Sequence, residues 1–357
     1  MHLKAFSPLL LSSAYHPVSA IMGTEQGGFV MRIHAFEVRA DEKPYFEILK
    51  DSGMDIVIHD GPCLLDDILS LETGCGVSVL GMHRYEEAEM EAFEKHGIHC
   101  LSTRTIGYDH IDLNAARKHG IHVSNASYAP NGVADYTVMM MLLCLRCYKQ
   151  ALWRMQVNDY SLQGLIGKEL RDMTVGVIGC GRIGTQVIQN LSGFGCRILA
   201  FDKHRNETVL KYASYVESLD DIYRQCDIIT LHTTLNDSSY HMINKDSLSR
   251  MKKGVILINC ARGPLMDIQA LIHGIETEQI GALGLDTVED EQTFVHQNRM
   301  TDIFSDRDIA YLRQFKNVVY TQHMAFYTEE AVQSMVESSV SSLVLMAEGK
   351  SCRTQLC

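Results

Sequence analysis

Residues 174–184 read TVGVIGCGRIG: an apolar run, Thr174–Ile178, passes without a spacer into Gly179-Cys180-Gly181-Arg182-Ile183-Gly184 and then into the helical pattern of Arg182–Phe194. G-x-G-x-x-G alone is a weak signal. It is sharpened here by the strand before it, the helix after it, and an acid, Asp202, closing the next strand-like run RILAFD about 20 residues on. The three glycines meet different demands. Gly179 permits a tight turn, Gly181 lets the backbone approach a pyrophosphate, and Gly184 lets helix and strand pack closely. The N–H groups that open the helix then face the phosphates. An acid in the place of Asp202 accepts hydrogen bonds from the adenosine ribose and repels a 2′-phosphate, which predicts NAD over NADP.

Outward from this turn the second half keeps a β-α rhythm: DIITLH, a helix near Lys245–Met251, VILINC, a helix over Ile268–Thr277, IGALGLD and NVVYTQH. The first half has a similar one, from FVMRIHAF through MDIVIHD and VSVLGM to IHCLS, with helical runs between them. Such alternation predicts parallel sheets covered by helices on both faces, so the expected class is α/β with two Rossmann-like, doubly wound parallel-sheet domains. Between the halves, Val133–Gln156 reads as one long helix, apolar nearly all round, which needs burial from two sides.

Composition narrows the function classes. A chain of 357 residues exceeds what one core usually fills. A formal charge of −12, with no clustered Lys/Arg face, argues against a nucleic-acid binder. Eleven cysteines in no regular framework fit a reducing cytoplasm. Cys144 and Cys147 form a C-x-x-C, but no second Cys or His pair completes a zinc site, so no metal is expected. No run reaches the ~18 apolar residues of a membrane span. Residues 1–30 read as a loose extension, whose apolar Leu9–Leu11 is too short for a signal peptide.

Three strand ends of the second half carry polar groups that packing does not call for: Asn259-Cys260-Ala261-Arg262-Gly263 after VILI, Asp286 and Glu291 after IGALGL, and His323 after NVVYTQ. In open α/β sheets ligands bind beyond the carboxyl ends of the strands. Reduction of a 2-oxo acid by hydride needs a cation for the carboxylate, a proton donor for the carbonyl oxygen and a group that keeps the donor charged. Arginine offers a planar two-pronged fork, histidine titrates nearest neutrality, and a carboxylate supports the imidazolium.

GCGRIG, NCARGPLMD, GLDTVEDE and QHMAFYT together resemble the D-isomer-specific 2-hydroxyacid dehydrogenases from about Arg32 to Gly349, and within them the D-lactate dehydrogenase branch, including the D-lactate-forming enzymes of vancomycin-resistance clusters. The resemblance implies that Arg262 holds the substrate carboxylate, His323 is the acid/base and Glu291 its partner. It also implies that Arg182, Ile183, Asp202, Thr233, Thr234, Ser239, Cys260, Ala261 and Asp286 contact NAD. The loop Arg104-Thr105-Ile106-Gly107 falls where the family's backbone amides meet the carboxylate, and Tyr128 where it has a substrate-cleft tyrosine. Gln322 replaces the usual proline before the histidine, and Thr233-Thr234 a usual Val-Pro. The family fold implies a discontinuous catalytic domain, 31–127 plus 327–357, around an NAD-binding domain, 128–326, and a homodimer through the long apolar helix. The reading is D-lactate formation from pyruvate. Bulkier 2-oxo acids such as phenylpyruvate or 2-oxoisocaproate, with His83 a candidate pocket residue, and an NAD-sensing corepressor-like role are its alternatives.

Overall fold

The computed structural model describes residues 31–357. The extension expected over 1–30, including the first residues of FVMRIHAF, lies outside the described residues. The chain divides into two compact units, one ending at Tyr128 and resuming at Glu329–Cys357, the other Ala129–Thr328. The boundaries thus fall at 128/129 and 328/329, where the sequence placed them at 127/128 and 326/327.

The first unit holds a parallel sheet of β1 (Ile33–Ala35), β2 (Ile56–Ile58), β3 (Gly76–Val79), β4 (Cys100–Thr103) and β5 (His122–Ser124), in the order β2-β1-β3-β4-β5. The second holds β6 (Thr174–Ile178), β7 (Arg197–Phe201), β8 (Ser214–Tyr215), β9 (Ile228–Leu231), β10 (Val255–Asn259), β11 (Ile280–Leu285) and β12 (Val318–Tyr320), in the order β12-β11-β10-β9-β6-β7-β8. All the ladders are parallel. Because helices cover both faces, central strands such as β9 and β10 are buried at every residue and read as continuous apolar runs without alternation. The runs marked β5 and β8 were not anticipated, being three and two residues long.

Local chemistry sets the helix starts. Pro44 occupies the first turn of Lys43–Asp51, where a missing N–H costs nothing. Asp112 caps Leu113–Lys118 by accepting from the amides of Asn114 and Ala115, and Ser218 with Asp221 forms a reciprocal capping box on Leu219–Gln225. Helix Glu329–Ala347 returns to the first unit, where Val336, Val340 and Leu343 complete a core with Ile33, Phe46 and Ile56.

One expected element is two. The predicted helix Val133–Gln156 is Asn131–Leu145 followed by Tyr148–Gln156, with Cys147 left-handed at φ 50° between them. The amide of Lys168 takes the carbonyl of Leu145 at 3.0 Å, and Lys149 Nζ donates to the carbonyls of Arg313, Phe315 and Val318 at 2.6–2.8 Å. The first gives the carbonyl of Leu145 a partner in place of a helical amide, and the others tie the start of the following helix to the segment before and within β12. The first segment buries Val133, Val138, Met140, Met141 and Leu145, whereas the second buries no residue.

Candidate active site

In the second sheet the strand order reverses between β6 and β9, so the turns after these strands flank the crevice at which doubly wound sheets bind ligands. Gly179 has φ 93°, and a Cβ there would lie 2.5 Å from the carbonyl carbon of His232. A Cβ on Gly184 would lie 1.9 Å from the carbonyl oxygen of Gly179, so the turn and the helix Arg182–Ser192 close only over glycine. Gly181 differs: a Cβ there would meet no protein atom within 4 Å. Packing does not demand that glycine, and the space above it suits a diphosphate approaching the helix N-terminus, where Arg182 is exposed and Ile183 half-buried. Asp202 accepts from the amides of Cys180 at 2.6 Å and His204 at 2.8 Å, which fixes its carboxylate beside the turn. These residues fit a dinucleotide.

Across the turn, Thr233 is half-buried and Thr234 exposed. Ser239 is buried, and its hydroxyl donates to the carbonyl of Thr234 at 2.7 Å, so it shapes the Thr233–Ser239 loop from within. Burial pushes the imidazole of His232 down to about 4. With the folded value below the ordinary 6.5, the unfolded chain binds a proton that the folded one refuses, so stability is full above pH 6.5 and is lost as the pH falls toward 4. At one pH unit per 1.36 kcal/mol the loss is up to about 3 kcal/mol. Urea unfolding between pH 7 and 5 should show this slope, and His232→Gln should flatten it; an unchanged slope in the variant would assign it elsewhere.

The polar groups singled out at the strand ends stand on adjacent strands. After β12, His323 adopts φ 53°, and its Nδ1 lies 2.6 Å from Oε1 of Glu291 in the loop after β11. With Nδ1 engaged by the carboxylate, Nε2 is the ring nitrogen turned away from Glu291. Glu291 is itself held, since its Oε2 accepts the amide of Val288 at 3.0 Å. Asp286, fully buried, accepts the hydroxyl of Thr321 at 2.7 Å and the amides of Met324 and Ala325 at 2.9 and 2.8 Å. It thus pins the turn that carries His323, a bracing role the sequence did not suggest. After β10, Asn259 donates to the carbonyl of Arg262 and accepts the amide of Ala261, which sets the direction in which the loop leaves the strand. Arg262 is half-buried, with Nη1 donating to the carbonyl of Ala261 at 2.8 Å. Cys260 is buried, and burial followed by the charge of Asp286 pushes its thiol up, so it forms a neutral wall.

Sequence reasoning also missed His296, whose Nε2 lies 3.1 Å from the carbonyl oxygen of His323, and whose ring sits 6.2 Å from that of Phe326. No motif marks it. In the first unit, the carbonyls of Ile106 and Gly107 are tied back by Asn125 Nδ2 and the hydroxyl of Thr105, both at 2.6 Å. Among the described residues nothing accepts the amides of Ile106 and Gly107. Tyr128, buried, ends this segment. His83 lies 3.3 Å from Glu89 and edge-on to Tyr85. No helix among the described residues is long and apolar enough to cross a membrane.

Residues 138–325 match the family model for the D-isomer specific 2-hydroxyacid dehydrogenase NAD binding domain. The chain is 41% identical over 332 residues to an aromatic 2-oxoacid reductase of Clostridium sporogenes, covering 91% of this chain and 99% of that one. It is 34% identical over 326 residues to the D-lactate dehydrogenase of Lactobacillus delbrueckii subsp. bulgaricus, covering 90% and 98%. The NAD-complexed crystal structure of a D-isomer specific 2-hydroxyacid dehydrogenase from that species superposes with a TM-score of 0.79 at 31% identity, over 92% of this chain and 100% of the other. A glycine turn shaped for a dinucleotide and a histidine–carboxylate pair on the two strands next to that of an arginine are therefore found in a chain that belongs to the D-isomer-specific 2-hydroxyacid dehydrogenases, in the D-lactate dehydrogenase branch, and is an NAD-dependent oxidoreductase.

Proposed function

We propose that the protein reduces a 2-oxo acid to its D-2-hydroxy acid, with His323, Glu291 and Arg262 as the catalytic groups. The observation that carries this reading is the 2.6 Å contact between His323 and Glu291 at the carboxyl ends of adjacent strands. NADH, when bound, supplies the hydride that C2 of the oxo acid takes up. Protonated His323 gives a proton from Nε2 to the carbonyl oxygen, and Glu291 compensates the charge of the protonated ring. Arg262 holds the substrate carboxylate and polarises the carbonyl. Within the first unit, the unclaimed amides of Ile106 and Gly107, and Tyr128 at the end of that segment, are its groups for the substrate carboxylate. Arg182, Ile183, Thr233, Thr234, Ser239, Cys260, Ala261, Asp286 and the glycine turn hold the cofactor, and Asp202 selects NAD. The split unit is thus the substrate domain and the continuous one the cofactor domain.

The preferred substrate carries a bulky side chain, aromatic or branched. The more similar relative is the aromatic 2-oxoacid reductase, at 41%, against 34% for the D-lactate dehydrogenase. Pyruvate is the second reading, supported by the D-lactate dehydrogenases among the relatives. With NADH in excess, kcat/KM for phenylpyruvate should exceed that for pyruvate by roughly tenfold or more, the scale on which a filled apolar pocket discriminates. A ratio in pyruvate's favour would install the second reading.

A homodimer is favoured by the helix Tyr148–Gln156, which leaves Leu152 49% and Trp153 63% exposed beside Tyr148 and Met155. Sedimentation as a monomer at micromolar concentration would refute it. All eleven cysteines are free thiols, which suits the cytoplasm.

A further inference from the structure

Glu37 follows β1 in the left-handed region, at φ 57°, with 3% of its surface exposed. Its carboxylate accepts three consecutive amides from the loop after β3: Leu80 and Gly81 on Oε2 at 2.7 Å each, and Met82 on Oε1 at 3.1 Å. Successive N–H groups converging on one point form an anion nest. The order β2-β1-β3-β4-β5 puts this nest at the reversal between β1 and β3, the place where an open α/β sheet binds a ligand. Here the nest holds the chain's own anion.

The same segment is tied to the loop after β4. Arg104, fully buried, donates through Nη2 to the carbonyl oxygens of Phe36 at 2.7 Å and Glu37 at 3.3 Å, through Nε to Glu42 at 2.8 Å, and through Nη1 to the hydroxyl of Ser78 at 2.9 Å. Glu42 is therefore paired with a guanidinium, whereas the carboxylate of Glu37 is met by backbone dipoles. Arg104 leads directly into Thr105-Ile106-Gly107.

We propose that Glu37 is a positioning residue: as a built-in anion in the 80–82 nest, it sets, through Arg104, the geometry in which the amides of Ile106 and Gly107 receive the substrate carboxylate. The inference rests on the substrate role given above to that loop. Were Glu37 only a brace for stability, its loss would lower melting temperature and total activity together, without a split between substrate and cofactor.

The test uses two variants of the full chain and sodium formate. Glu37→Gly suits the positive φ and opens the nest, and it should raise KM for the oxo acid roughly ten- to a hundredfold while leaving KM for NADH within twofold. Formate should enter the vacated nest and lower the oxo-acid KM of Glu37→Gly saturably. In the wild type formate competes for the substrate's amides and raises that KM, so the two responses have opposite sign. Glu37→Gln fills the space but turns an amide N–H toward the amide of Met82; it should raise the oxo-acid KM by a smaller factor and show no relief by formate. An oxo-acid KM unchanged in both variants overturns the proposal, as does a raised KM in Glu37→Gly that formate raises further. If Glu37→Gly fails to fold, Glu37→Gln decides by its split between oxo-acid and NADH KM. A wild type that reduces no 2-oxo acid with NADH sinks the functional reading itself, whereas an active wild type with unresponsive variants sinks only the role of Glu37.

Discussion

His323→Ala lowers kcat for oxo-acid reduction by roughly 10²–10⁴-fold, the range of a positioned general acid, and leaves the Kd for NADH within a few-fold. The asymmetry follows from the structure. The ring faces Glu291 across 2.6 Å after β12, whereas the glycine turn proposed for the diphosphate follows β6, four strands along the sheet. Removing the imidazole takes away the proton donor and leaves the turn at Gly179–Gly184 as it was. Steady-state rates beside a fluorescence titration with NADH measure both quantities, and equal losses in the two would contradict the assignment. Glu291→Gln should fall short of that loss, because glutamine still accepts from Nδ1 but adds no charge to compensate the protonated ring.

The second large effect comes from a residue with no chemistry of its own. A Cβ on Gly263 would lie 2.0 Å from both the carbonyl carbon and oxygen of Val288 and 2.4 Å from the amide of Glu289. Both neighbours are backbone, so in Gly263→Ala the loops after β10 and β11 must part by about 1 Å. Arg262 stands just before the contact, and the amide of Val288 is what holds Oε2 of Glu291. Separation of the loops therefore moves Arg262 away from the His323–Glu291 pair to which the proposed chemistry is assigned. A displacement of that size costs about 100-fold in kcat/KM, and the overpacking destabilises the fold by roughly 1–3 kcal/mol. Kinetics together with urea unfolding test this; wild-type kcat/KM in Gly263→Ala would mean that the two loops are free to part.

The features legible in the sequence are those in which one residue type answers one local demand. Gly179 and Gly184 are forced by contacts under 3 Å, the apolar runs at β9 and β10 by burial on both faces, and Arg262, Glu291 and His323 by lying at strand ends where packing asks for nothing polar. What escaped depends on partners distant along the chain. The break at Cys147 is set by Lys168 and by carbonyls beyond residue 312, none of which alters the apolar pattern of 133–156. The bracing by Asp286 escaped because its partners, Thr321, Met324 and Ala325, lie more than thirty residues on. Glu37 gave no sign at all: a glutamate closing a strand-like run looks like a solvated end until the 80–82 amides are seen to converge on it.

The route of the chain has a bearing on how the protein is made. Val336, Val340 and Leu343 are each 0% exposed in the core they share with Ile33 and Phe46, and burying each side chain is worth about 1.5–3 kcal/mol. The earliest sheet to leave the ribosome therefore waits, with one apolar face unfinished, until residues beyond 328 have been translated, while the later sheet already has every strand it needs. Nascent-chain proteolysis should find the middle of the sequence protected before its beginning, and the waiting half is where a chaperone would be needed.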